Sequence, residues 1–349
     1  MRKFLVTLPV LFLLLAAQEA KAWNADGHQI VGAIADAMLS ANAKAKIASI
    51  LSVDLRTAGP WLDCAKSVHR LDDGSFKYVV EAAFEPPCTP FKDARDLMEQ
   101  YVKRNFVQCS YLVHRKDNGR EFDEEMGCHS TYHFDDISIL RDHFDRNFQG
   151  TNDHDIVAAI NAAIAVLLDR PSPPPFKIAT KAEAIFLLAH LIGDLHQPLH
   201  VGAVYLDMQG QQVDPDVTHT IDPATETIGG NAIFDNDKNF HAAWDAPPSN
   251  FQVSQALDLL PLAQQVAKDT DRVENWSFAW ASDTLKLAPR AFAGATFARV
   301  QPSAAHPNGG WSITFPDHVA YVAARDAIKR EQLAKAGARL ANLLNAIWP

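Results

Sequence analysis

Basic charge is scarce in this sequence. Lys and Arg total 32 against 42 Asp and Glu, a formal net charge of −10. That balance excludes a protein that holds duplex nucleic acid mainly through a basic surface, though binding through metals or pockets stays open. Long apolar runs are scarce too. Beyond the N-terminus no segment reaches about 18 uninterrupted apolar residues, so no internal membrane span is expected. Only four cysteines occur, Cys64, Cys88, Cys109 and Cys128, and their spacing matches no zinc knuckle. Internal repeats, low-complexity tails and linkers are missing. With 48% hydrophobic and 21% charged residues the chain is neither disordered nor collagen-like.

The N-terminus carries the one apolar run. Arg2 and Lys3 precede a stretch from Phe4 to Ala17 broken only by Thr7 and Pro9, and Ala20-Lys21-Ala22 has the small-x-small form of a cleavage site. Residues 1–22 therefore read as a signal peptide, and 23–349 as one mature domain that is periplasmic or secreted. Cleavage would leave 29 basic and 41 acidic residues, a charge of −12. An oxidising compartment allows two disulfides among the four cysteines, with three pairings open.

The mature chain reads as mainly α. Apolar spacing predicts helices at 26–40, 42–52, 93–108, 137–147, 154–168, 180–196, 256–269, 275–288 and 317–346. Strand character is expected from Phe76 to Val80, and a turn at Asp117-Asn118-Gly119. The Cys-rich stretch of about 64–130 reads as an elaboration on the core, and 201–230 as a long loop.

What is abundant is histidine, fourteen in all. His190 and Asp194 are four residues apart on one face of the most apolar helix, and His200 follows just beyond Pro198. Burying imidazole and carboxylate in such a helix is costly unless a cation compensates. His241 and Asp245 repeat the spacing, and His133 stands beside Phe134, Asp135 and Asp136. Imidazole nitrogen and carboxylate oxygen are zinc ligands. Trp23 would be the mature N-terminus, five residues before His28. A free α-amine titrates near pH 8 and can join its own carbonyl in a five-membered chelate.

Taken together, these motifs resemble the secreted zinc-dependent single-strand nucleases and 3′-nucleotidases, the nuclease S-one/P-one type, whose fold is that of the zinc phospholipases C. The resemblance runs through Trp23 and His28, Trp61-Leu62-Asp63, His133 to Asp136, His190 to His200, Gly229-Gly230-Asn231, and His241 to Asp245. It implies a single-domain helical fold of that type, with a Cys-rich insertion. It implies three zinc ions per chain. Asp63, His133, His190 and Asp194 would hold one; Trp23, His28 and Asp194 another; His200, His241 and Asp245 the third. His196 is not a ligand in that pattern. The implied activity cleaves single-stranded DNA or RNA to 5′-nucleotides and removes 3′-phosphate from nucleotides, through a hydroxide bridging two zincs. Asp63 would orient or deprotonate the water, Lys66 offset charge on the phosphorane, Phe134 stack on a base and Asp136 hydrogen-bond one. Single-stranded nucleic acid or a 3′-nucleotide is the expected partner, with a monomeric protein. The alternatives are a zinc phospholipase C or other phosphoesterase on the same cluster, and a zinc-binding protein without activity.

Overall fold

The computed structural model describes residues 23–349 apart from 83–84, 118–119 and 304. The expected signal peptide and the expected turn at 118–119 lie outside the described residues. Side-chain caps set many of the helix starts. Asn24 accepts from the Gly27 amide at 3.1 Å to open α1 (Ala25–Met38), and Ser40 accepts from Ala43 to open α2 (Ala41–Ala48). Two short helices, α3 (Leu55–Ala58) and α4 (Trp61–Ala65), bring the chain to the Cys-rich stretch.

That stretch holds β1 (Val68–Arg70) paired antiparallel with β2 (Phe76–Tyr78), helices α5 (Glu85–Cys88) and α6 (Arg95–Arg104), and a hairpin of β3 (Tyr111–Asp117) with β4 (Arg120–Met126). Cys64 pairs with Cys88, tying α4 to α5, and Cys109 pairs with Cys128 across the base of the hairpin.

The 137–147 helix does not form. Instead β5 (Ile137–Ser138) pairs in parallel with β6 (Gly202–Ala203). Downstream, the Asp145 carboxylate accepts from the Asn147 amide at 2.8 Å, a local bond that competes with helix. Between β5 and β6 lie α7 (Ile156–Leu167) and α8 (Lys181–Leu195), the latter opened by Thr180 accepting from Glu183. The 201–230 segment is mostly loop, as expected, with one helical turn, α9 (Pro215–Thr218).

Strands β7 (Ile233–Asp235) and β8 (Lys238–Asn239), then β9 (Thr296–Val300) and β10 (Gly310–Thr314), form a four-stranded sheet in the order β8-β7-β10-β9. Strand β10 runs parallel to β7 and antiparallel to β9. Between the two halves of this sheet lie α10 (Phe240–Asp245), α11 (Leu260–Ala263) and α12 (Trp276–Leu287). The 256–269 helix is cut short. A 3₁₀ segment precedes α11, whose second residue is Pro261, with no amide hydrogen to continue the ladder. The chain closes with α13 (His318–Ile347).

The core is a helical bundle in which α8 is buried from Glu183 to Leu195 and packs against α7, α1 and α13. Each fully buried Leu or Ile there contributes roughly 1.5–3 kcal/mol. Helices α1 and α13 meet closely at Gly337: a Cβ there would lie 2.6 Å from Cβ of Ile34. Among the described residues no helix is long and apolar enough to cross a membrane.

Candidate metal centre

Five histidines and three aspartates from distant parts of the chain converge as three buried groups. Asp63 of α4 meets His133 and His190. His28 of α1 meets His190 and Asp194. His200, just after α8, meets His241 and Asp245 of α10. These are the eight side chains that the resemblance implies as ligands, and His190 belongs to two of the groups.

Backbone carbonyls orient several of the rings. His190 Nδ1 donates to the Gly59 carbonyl at 2.8 Å, His200 Nδ1 to that of His133 at 2.8 Å, and His241 Nδ1 to that of Gly229 at 2.6 Å. In the neutral ring this leaves Nε2 as a bare lone pair. Those lone pairs then point into the groups. His200 Nε2 and His241 Nε2 lie 3.0 Å apart, with Asp245 Oδ1 at 3.6 and 3.5 Å from them. His190 Nε2 lies 3.1 Å from both His133 Nδ1 and Asp194 Oδ2, and His28 Nε2 lies 3.3 Å from Asp194 Oδ1. Acceptors facing acceptors repel one another unless a cation sits among them. His28 Nδ1 and Nε2, Asp194 Oδ1 and Asp245 Oδ2 are buried without a hydrogen-bond partner. Orphaned atoms of these types, converging in pairs and triplets, fit a bound metal.

The electrostatics agree. Burial pushes the His28 imidazole down to about 3 and that of His133 well below its usual range. Burial would raise Asp194, but His190 and His28 outweigh it and hold the carboxyl ionised. Asp63 is likewise held ionised against burial, chiefly by Lys66 and then His190. Lys66 Nζ donates to Asp63 Oδ1 at 2.8 Å and is partly open to solvent.

A family model described as S1/P1 Nuclease matches residues 23–349. The chain belongs to the S1/P1 nuclease family. Its enzymes are metal-dependent nucleases, so this chain is a hydrolytic nuclease whose three His/Asp groups can bind metal. A search of curated proteins found no match.

The other expected site residues lie around the nuclease's three groups. Trp23 is fully buried, its indole beside Gly193, where a Cβ would also meet His28 Nδ1 at 3.0 Å. His196 turns away from the groups. Its Nδ1 donates to the Ile192 carbonyl and its Nε2 meets Arg339 at 3.0 Å. Phe134 is half-buried. Asp136 packs over Gly229, where a Cβ would lie 3.0 Å from Asp136 Oδ1, and that oxygen is buried without a partner. Burial, and then Glu226, raise the Asp136 carboxyl to about 7. Gly229 has φ +55°, a left-handed conformation costly for other residues, and its carbonyl is the one that orients His241.

Two contributors escape a reading of the sequence. Gln197 is fully buried, donates to Asp245 Oδ1 at 2.7 Å, and is itself fixed by the Leu199 amide at 2.6 Å. Its only signal is an amide inside the His190–His200 motif. Glu226, which acts on Asp136, comes from the long loop and carries no motif at all.

Proposed function

We propose that this nuclease hydrolyses single-stranded DNA or RNA to 5′-nucleotides and removes 3′-phosphate from nucleotides, using three zinc ions. The facing lone pairs of His200 and His241, 3.0 Å apart, are the observation that carries the reading. The first zinc would take Asp63, His133, His190 and Asp194. The second would take Asp194, His28 and the amine and carbonyl of Trp23. The third would take His200, His241 and Asp245. Bound zinc makes water available as a nucleophile near neutral pH and stabilises charge on the departing oxygen.

The chain's own groups do the rest. Asp63 accepts a proton from water or orients it, and Lys66, 2.8 Å away, offsets negative charge growing on the phosphoryl oxygens. Phe134 offers a face to an unstacked base, a contact tolerant of sequence. Asp136 hydrogen-bonds that base. The need for an unstacked base favours single strands. The mature domain is 23–349, released by cleavage before Trp23 and exported, a route that the two disulfides support.

The test pairs metal analysis with substrate assays on the chain beginning at Trp23. Three zincs per chain, with activity on single-stranded DNA, RNA and 3′-AMP, are expected. Activity on phosphatidylcholine with none on nucleotides would move the chain to the phospholipase branch and end this reading.

A further inference from the structure

Lys329 is the one lysine sealed inside the described residues, at 1% exposure. It lies in α13, more than 80 residues along the chain from the His241–Asp245 motif. A buried ammonium is costly and persists where several acceptors repay it. Here Nζ donates to the carbonyl of Ala243 at 2.6 Å and that of Ala246 at 2.8 Å. These carbonyls belong to the C-terminal turn of α10, where the chain's own amides leave acceptors over and the helix dipole is negative. They bracket residue 245.

Residue 245 faces two ways. Its carboxylate enters the group with His200 and His241. Its backbone carbonyl accepts from the Asn24 amide at 2.9 Å, and so fixes the residue next to Trp23. Movement of the α10 end would therefore disturb the third site through a side chain and the second through the N-terminal backbone. The Asp63–His133–His190 group is one step further removed: it meets the third site where His200 Nδ1 donates to the His133 carbonyl, and the second through the shared Asp194, so it should respond least.

We propose that Lys329 is a positioning residue that holds residue 245 for two metal sites at once, the Asp245 site and the site entered by Trp23. This rests on reading the three groups as zinc sites. Lys329 touches neither metal nor substrate; it acts through the two carbonyls.

The test is stepwise zinc titration against a competing chelator, on the chain beginning at Trp23. Alongside it, the N-terminal amine is probed with an amine-reactive reagent. In Lys329→Met, two of the three binding steps should weaken by about 10- to 100-fold, the range for lost supporting bonds. The amine should become reactive in the zinc-loaded protein. Lys329→Gln, which keeps one donor, should fall between, and serves if Lys329→Met fails to fold. Tyr321→Phe is the control. Tyr321 accepts from Trp244 Nε1 at 3.0 Å, a second tie between α13 and α10 that leaves the two carbonyls alone. Equal weakening in Tyr321→Phe would mean that packing, not positioning, is at work, and would overturn the proposal. So would unchanged affinities in both Lys329 variants. A parent chain that takes up no zinc would instead overturn the zinc reading itself.

Discussion

His200 and His241 point their Nε2 atoms at each other across 3.0 Å, each ring locked by a carbonyl behind it. Without metal, a proton is the only cation that can relieve this contact. Burial alone would lower the His200 imidazole, but Asp194 and Asp245 overturn that and raise it to about 9. Metal binding must displace this proton. Affinity at this site should therefore climb as pH rises toward about 9, with about one proton released per metal at pH 7. Calorimetry in buffers of different ionisation heat measures the release. Affinity independent of pH from about 6 to 9 would contradict it.

The same shift sets a stability slope. A raised histidine stabilises the metal-free fold fully below its ordinary value of 6.5, and that contribution is lost as pH rises through about 9. The Asp136 carboxyl, raised to about 7, gives a slope of the same sign in a lower pH window. The folded state resists an ionisation whose midpoint in the unfolded chain is near 3.8, so stability falls as pH rises between 3.8 and about 7. Asp136→Asn should flatten that fall. Melting of metal-free protein across this range checks it, and parallel curves for the two proteins would refute it.

Lys66 donates to Asp63, and the proposed function gives it the task of offsetting charge on the phosphoryl group. Lys66→Met should lower kcat by about 10²–10³-fold, the cost of losing one preorganised donor at a charged transition state. Zinc content should hold. Steady-state kinetics on 3′-AMP with parallel metal analysis decides; a variant with normal kcat removes the proposed role.

Gly337 makes room for Ile34, so Gly337→Ala forces a Cβ to within 2.6 Å of Ile34 Cβ. The expected cost is about 1–3 kcal/mol from overpacking of α1 against α13. Denaturant unfolding measures it, and an unchanged midpoint would show that the helices part easily.

Legibility followed the range of the forces involved. Helix α8 was readable because its apolar residues and its Thr180 cap act locally. His190, Asp194, His241 and Asp245 are readable from the repeated four-residue spacing, and His28, His133 and His200 from the residues beside them; Asp63 enters only through the family resemblance. The helix expected at 137–147 gave way at its start to β5, which pairs with β6 far along the chain, and near its end to the Asp145 side chain, which bonds the Asn147 amide. The β7–β10 sheet was hidden because its strands span only two to five residues and its two hairpins are joined by the β7–β10 pairing across a long separation. Gln197 and Lys329 were invisible for the same reason. One reaches a carboxylate 48 residues away, the other carbonyls 83 and 86 residues away.

Cys64 immediately follows Asp63, and its bond to Cys88 ties that short helix to a segment 24 residues on. A chain still in reduced form has no such tie beside Asp63. Assembly of the hydrolytic centre is thereby linked to the chemistry of the compartment. While these thiols are reduced, the segment around Asp63 is held less firmly, so firm placement of that carboxylate waits on oxidation of Cys64 and Cys88.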